Sequence, residues 1–241
     1  MLLQEALNQR IILVLIAQIW PIFYCSYFAY KLLKRAKNRA TYTLSSTFIS
    51  LSLSFFLASL SILLNYTLFA YTFFIVGIYF FFFTHSLFVI FTWVLVKLDD
   101  KSPNWKFYLG IILYGIISSF VFWIGFFLKG IRLDSSTEWV PIYSWFFLSI
   151  SWTLLFIFVI IPQIYLSFKL LKVFEGIILK RRINMYIVSV FLELSMVFAL
   201  FLYNAWIENT IYRTYIYPSI FPVIGTIAAF LIYKSFGKEL E

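Results

Sequence analysis

The chain has 241 residues, 63% of them hydrophobic and 12% charged, against roughly half apolar and about a quarter charged in a soluble domain. Folded in water, it would expose apolar surface over most of its area and aggregate, so a water-soluble fold is excluded and lipid is the expected solvent. The net charge of +9 points to anionic lipid rather than nucleic acid once the cations are sorted by side of the membrane.

An α-helix rises 1.5 Å per residue, so crossing roughly 30 Å of hydrocarbon takes about 20 mostly apolar residues. Seven stretches qualify, at 11–30, 42–64, 68–96, 107–128, 142–168, 183–207 and 214–233. They predict an all-α polytopic membrane protein, a single seven-helix transmembrane domain over 1–241. The first stretch is expected to stay in the mature protein, because its cations follow the apolar run instead of preceding it. Its Cys25, the one cysteine, reads as a buried small hydrophobe. In the second stretch Ser45, Ser52 and Ser59, with Thr47, Ser54 and Ser61 beside them, form two rows of small residues at heptad spacing. Such rows let helix backbones approach closely, and a polar permeation path is the alternative reading.

Only Asn65, Tyr66 and Thr67 separate the second stretch from the third. One helix over 42–96 would be roughly 80 Å long, so the chain has to reverse there. The same three residues match the glycosylation sequon. Further on, Pro21, Pro162, Pro218 and Pro222 fall inside the predicted spans, where each removes a backbone hydrogen bond; Pro162 with Gln163 is the candidate hinge.

Fifteen of the nineteen Lys and Arg lie in the odd-numbered connections and the tail. They are Lys31, Lys34, Arg35, Lys37 and Arg39; Lys97, Lys101 and Lys106; Lys169, Lys172, Lys180, Arg181 and Arg182; and Lys234 and Lys238. Arg10, Lys129, Arg132 and Arg213 fall on the opposite side. The positive-inside rule therefore predicts a cell-membrane protein with its N-terminus outside and its C-terminus in the cytoplasm. Lys31, Lys34, Arg35, Lys169, Lys172, Lys180, Arg181 and Arg182 form the candidate inner-face basic patch, facing the anionic inner leaflet. Segment 169–182, with Leu170, Leu171, Phe174, Ile177 and Ile178 at helical spacing, is predicted to prolong the fifth helix along that leaflet; docking of a cytoplasmic partner is the alternative.

Two ionisable side chains, Glu193 and His85, fall roughly 15 to 20 Å deep by the rise per residue. An ionised carboxylate in hydrocarbon is costly, so Glu193 should face the bundle interior, be protonated or be partnered. His85, Glu193, Asn204 and Ser189 make the candidate intramembrane polar site, for a ligand or a proton. The alternative is a protonated Glu193 bonded to a backbone carbonyl or Trp152, with His85 bonded to a hydroxyl such as Thr84. One histidine and one cysteine cannot build a multi-ligand zinc site. No predicted span contains Asp, and nucleophile-elbow and phosphate-loop patterns are missing, so neither an enzyme nor a cofactor is expected.

The run Glu138-Trp139-Val140-Pro141-Ile142-Tyr143-Ser144-Trp145 carries a first likeness. Ile161-Pro162-Gln163-Ile164-Tyr165 through Lys172-Val173-Phe174-Glu175, and Leu202-Tyr203-Asn204-Ala205-Trp206 with Arg213, continue it. Together they resemble uncharacterised archaeal seven-span proteins, which are similar to the seven-span sensory region preceding some histidine kinases; Lys37-Asn38 opening the second span fits that likeness. The resemblance implies sensing, with the signal leaving through a cytoplasmic or membrane partner, since the chain stops just after the seventh span. Pro162-Gln163 also resembles the signature of PQ-loop transporters, and Pro21, Tyr24 and Ser26 recur as Pro162, Tyr165 and Ser167. That likeness implies small-solute transport between two three-helix repeats, although Pro21 is followed by Ile22 and not by Gln. A structural membrane subunit is the third reading.

Overall fold

The computed structural model describes residues 2–35, 38–64, 68–97, 104–137 and 139–236, with side chains from Gln18 onward apart from Arg35, Leu68 and Asn104. The sequon at Asn65, the cations Lys37, Lys101 and Lys238, and the side chains of Arg10 and Arg35 lie outside the described residues.

Among the described residues eight α-helices follow one another, with the fifth and sixth joined into one rod by a π-helical turn. They are α1 (Leu2–Arg35), α2 (Arg39–Leu63), α3 (Leu68–Val96), α4 (Asn104–Phe126), α5 (Trp145–Leu155), α6 (Ile161–Val173), α7 (Ile177–Ala205) and α8 (Tyr217–Phe236). The π turns are Phe156–Ile160, between α5 and α6, and Tyr212–Ile216, running into α8. Among the described residues, six rods are long and apolar enough to cross a membrane: Arg39–Leu63, Phe69–Val96, Trp105–Phe126, Trp145–Val173, Ile177–Ala205 and Tyr212–Phe236. The predicted span 11–30 lies within α1, where the side chains before Gln18 are outside the description.

Successive helices run antiparallel. Tyr71 on α3 donates to the Gly125 carbonyl of α4, Phe28 on α1 stacks on Tyr233 of α8, and Tyr186 on α7 packs edge-on against Phe236 of α8. These contacts gather Lys31, Lys34, Lys169, Lys172, Lys180, Arg181, Arg182 and Lys234 at one end of the bundle and Lys129, Arg132 and Arg213 at the other. α3 is the most buried of the six rods, in keeping with a sequence apolar on every side. α4 stands outermost, with Tyr108, Ile112, Ile116, Phe120 and Trp123 exposed. A belt of that kind would aggregate in water and suits contact with lipid tails.

The small-residue rows of α2 serve packing on both flanks. Ser52 donates to the Ile22 carbonyl of α1 and meets Ser26 at 2.8 Å, and Ser59 reaches Gln18. On the other flank Ser54 and Ser50 donate to the Gly77 and Phe80 carbonyls of α3. Asn38 caps α2 by accepting from the Thr41 amide at 2.8 Å.

Two segments depart from the sequence reading. The fifth helix begins at Trp145 rather than 142, because Ser144 caps it by accepting from the Phe147 amide. Ile142–Tyr143 instead pairs antiparallel with Ile131–Arg132 as a small hairpin. Segment 169–182 is also not one helix along the leaflet: α6 stops at Val173, Phe174 is extended, and Gly176 takes φ +103°, a conformation that favours glycine, before α7 starts at Ile177. Leu170 is buried while Ile177 and Ile178 are exposed, so the apolar stripe is divided between two directions.

Inside the hairpin, Asp134 accepts from the Ser136 hydroxyl and from the Ser136 and Thr137 amides. These bonds, the Ser136 hydroxyl foremost and with Arg132 nearby, hold its carboxyl below the ordinary value of 3.8. A depressed value means stability that is present above the unfolded value and lost as pH falls through the folded one. The protection factor of the Thr137 amide, its exchange relative to the intrinsic rate at each pH, should accordingly rise severalfold between pH 3 and pH 7, and Asp134→Ala should abolish that rise. Equal pH profiles in the two proteins would refute the cap.

Candidate functional site

His85 sits at mid-length of α3, fully buried, with Nδ1 2.7 Å from the Phe81 carbonyl. Its ring lies edge-on to Phe81 and Phe88, and Nε2 has no hydrogen-bond partner. Nδ1 therefore carries the proton in the neutral ring. Thr84 donates to Phe80 instead, so the proposed hydroxyl partner of His85 is not used.

Glu193 lies on the buried face of α7 and is 6% exposed. Its carboxyl is within electrostatic reach of the Cys25 thiol and the Tyr24 phenol of α1. Tyr24 is in turn within hydrogen-bonding reach of Thr226 on α8, whose own hydroxyl donates to the Pro222 carbonyl. No hydrogen bond or ion pair joins Glu193 to His85 among the described residues, and Trp152 packs on Phe198 with its indole N–H unpartnered. The two face different neighbours, α1 in the case of Glu193 and the Phe81 and Phe88 rings in the case of His85. Ser189, one turn from Glu193, donates to the Met185 carbonyl. Asn204 donates to the Leu200 carbonyl and lies near the Tyr143 hydroxyl. All four predicted residues share the buried side of their helices, yet none hydrogen-bonds another.

The closed polar network lies elsewhere. Thr92 of α3, Gln163 of α6 and Tyr186 of α7 are fully buried. The Gln163 amide donates to the Thr92 hydroxyl at 3.0 Å, the Tyr186 and Thr92 hydroxyls are 2.8 Å apart, and Thr92 donates to the Phe88 carbonyl. Gln163 had been singled out beside Pro162 as a hinge; the structure ties it down across three helices. Pro162 itself follows the π turn, and the Phe158 carbonyl, four residues earlier and deprived of its helical donor, accepts from the Tyr114 hydroxyl of α4 at 2.9 Å. The signal for this network in the sequence was Gln163 as a lone amide in an apolar run. Thr92 and Tyr186 carried none, since hydroxyls on membrane helices commonly bond their own turn.

Of the basic patch, Lys34, Lys169, Lys172, Lys180 and Arg181 are exposed at the cation-rich end. Lys31 leans 5.4 Å over the Tyr27 ring, and Arg182 is half-buried. No group of three or more metal-ligating side chains occurs among the described residues. No family model matches the chain, and no curated protein or solved structure matches it either.

Proposed function

We propose that this chain is a sensor-like seven-span protein of the cell membrane, with its N-terminus outside and its C-terminus inside, in which Glu193 is the responsive group. The observation that carries the reading is a buried carboxyl that no donor among the described residues reaches, set where α1, α7 and α8 meet. Both helices facing it carry a proline one turn away, α1 at Pro21 before Tyr24 and Cys25, and α8 at Pro222 before Thr226. A charge change at Glu193 therefore acts on two helices that each lack one backbone hydrogen-bond donor at that level. The output is read at the cation-rich end by a cytoplasmic or membrane partner, beside anionic inner-leaflet lipid.

Transport of PQ-loop type draws on the π turn before Pro162-Gln163, but the Gln163 amide is bound to Thr92, which closes the α3–α6 interface. Hydrogen exchange on protein reconstituted in liposomes tests the sensor reading. Once the intrinsic pH dependence of exchange is divided out, wild type should show different protection factors in α1 and α8 at pH 5.5 and pH 8, and Glu193→Gln should fold normally and lose the difference. An unchanged profile in wild type, or the same difference in the variant, would refute it.

A further inference from the structure

The π turn Tyr212–Ile216 opens α8 at the hairpin end of the bundle and carries Arg213. Two of its guanidinium nitrogens, Nε and Nη2, are buried without a hydrogen-bond partner among the described residues. Its Cζ lies 5.1 Å over the Tyr203 ring, and Tyr203 is 4.5 Å, centroid to centroid, from Tyr217. Tyr217 approaches the buried Tyr143 hydroxyl, which has Asn204 beside it. The described acids of that end are engaged or turned away: Asp134 caps its own turn, and Glu208 stands exposed in the connection after α7.

Nε–H and the outer Nη2–H lie side by side and parallel on one edge of the guanidinium. That edge takes both oxygens of a carboxylate or phosphate in a two-pronged, charge-assisted bond, and arginine is suited to the geometry where lysine is not. A buried guanidinium edge left unpaired is strongly unfavourable, and an arriving oxyanion relieves it. π turns recur at functional sites, and this one points Arg213 at the aromatic floor. We propose that the hairpin end holds an oxyanion-binding site. A carboxylate or phosphate seats on the Nε/Nη2 edge of Arg213, and the rest of the ligand lies against Tyr203 and Tyr217. The oxyanion arrives either as a soluble anion or as the headgroup phosphate of an outer-leaflet phospholipid. This inference stands apart from the Glu193 reading.

The test uses the full chain in phosphate-free maltoside micelles, followed by its thermal midpoint. Inorganic phosphate, acetate and a short-chain phosphatidylglycerol are titrated separately, with sodium chloride at matched ionic strength as reference. At saturation at least one oxyanion probe should raise the midpoint by about 5 °C, while chloride leaves it unchanged. A shift with phosphate or acetate assigns a soluble ligand, and a shift with the phospholipid alone assigns a headgroup. Arg213→Lys keeps the charge and should keep the fold, but weaken binding about tenfold by losing the two-pronged bond; Arg213→Gln should remove the shift. No shift with any probe, or an equal shift in Arg213→Gln, overturns the proposal. Glu193→Gln should retain the shift, so the two readings fail separately.

Discussion

Gly77→Leu is expected to destabilise the protein by about 3 kcal/mol, toward the upper end for overpacked interiors, or roughly 10 °C in thermal midpoint for a chain of this size. A Cβ at Gly77 would stand 3.2 Å from the Ser54 carbonyl oxygen and 3.4 Å from the Ala58 nitrogen. Both are backbone atoms of α2, so relief requires the two helices to separate. Separation would also stretch the Ser54 to Gly77 and Ser50 to Phe80 bonds that the close approach permits. Gly225 is the control. There the nearest atom is the terminal methyl of Met196 at 3.1 Å, the free end of a flexible side chain, so Gly225→Ala should be neutral or slightly stabilising. Equal midpoints for the two variants in mild detergent would show that α2 and α3 are not held by backbone proximity.

The second large effect is expected at Thr92. Thr92→Val leaves the Gln163 amide and the Tyr186 hydroxyl without their common acceptor, inside a site that water does not reach, and should cost about 2 kcal/mol. Gln163→Leu removes one donor but keeps the Thr92 and Tyr186 pair, so it should cost less. The double variant should be more stable than the sum of the single losses predicts, by on the order of 1 kcal/mol, because the stranded amide is gone. Strict additivity in a double-mutant cycle would mean that the three side chains are neighbours without being coupled.

Helix positions were legible in the sequence because length and apolarity settle them; α3 coincides with the predicted 68–96. Tertiary partners were legible only where geometry left one solution. The small-residue rows of α2 allowed close packing, and Ser52 and Ser59 bond to α1 while Ser54 bonds to α3. Glu193 and His85 were read at one depth, but depth along a helix says nothing about which way a side chain points around it. Glu193 turns to α1, a direction fixed by the bundle's closure. The hairpin at Ile131–Arg132 and Ile142–Tyr143 was missed because two-residue strands carry no periodicity to detect. Arg213 was entered only as a cation on the minor side; its aromatic setting depends on a π turn that sequence spacing does not disclose.

The two flanks of α2 have a mechanical corollary. Hydroxyl ties to α1 on one side and to α3 on the other resist rotation or sliding of that helix, so the first three helices are expected to move together. Any displacement is then expected along the seam between these three and α6–α8, which is pinned near its cation-rich end where Thr92 grips Gln163 and Tyr186. Ring packing such as Phe28 on Tyr233 also crosses the seam, but the hydrogen bonds of Thr92 tie it at that end, so any opening is expected to be widest away from Thr92, toward the level at which Glu193 faces α1.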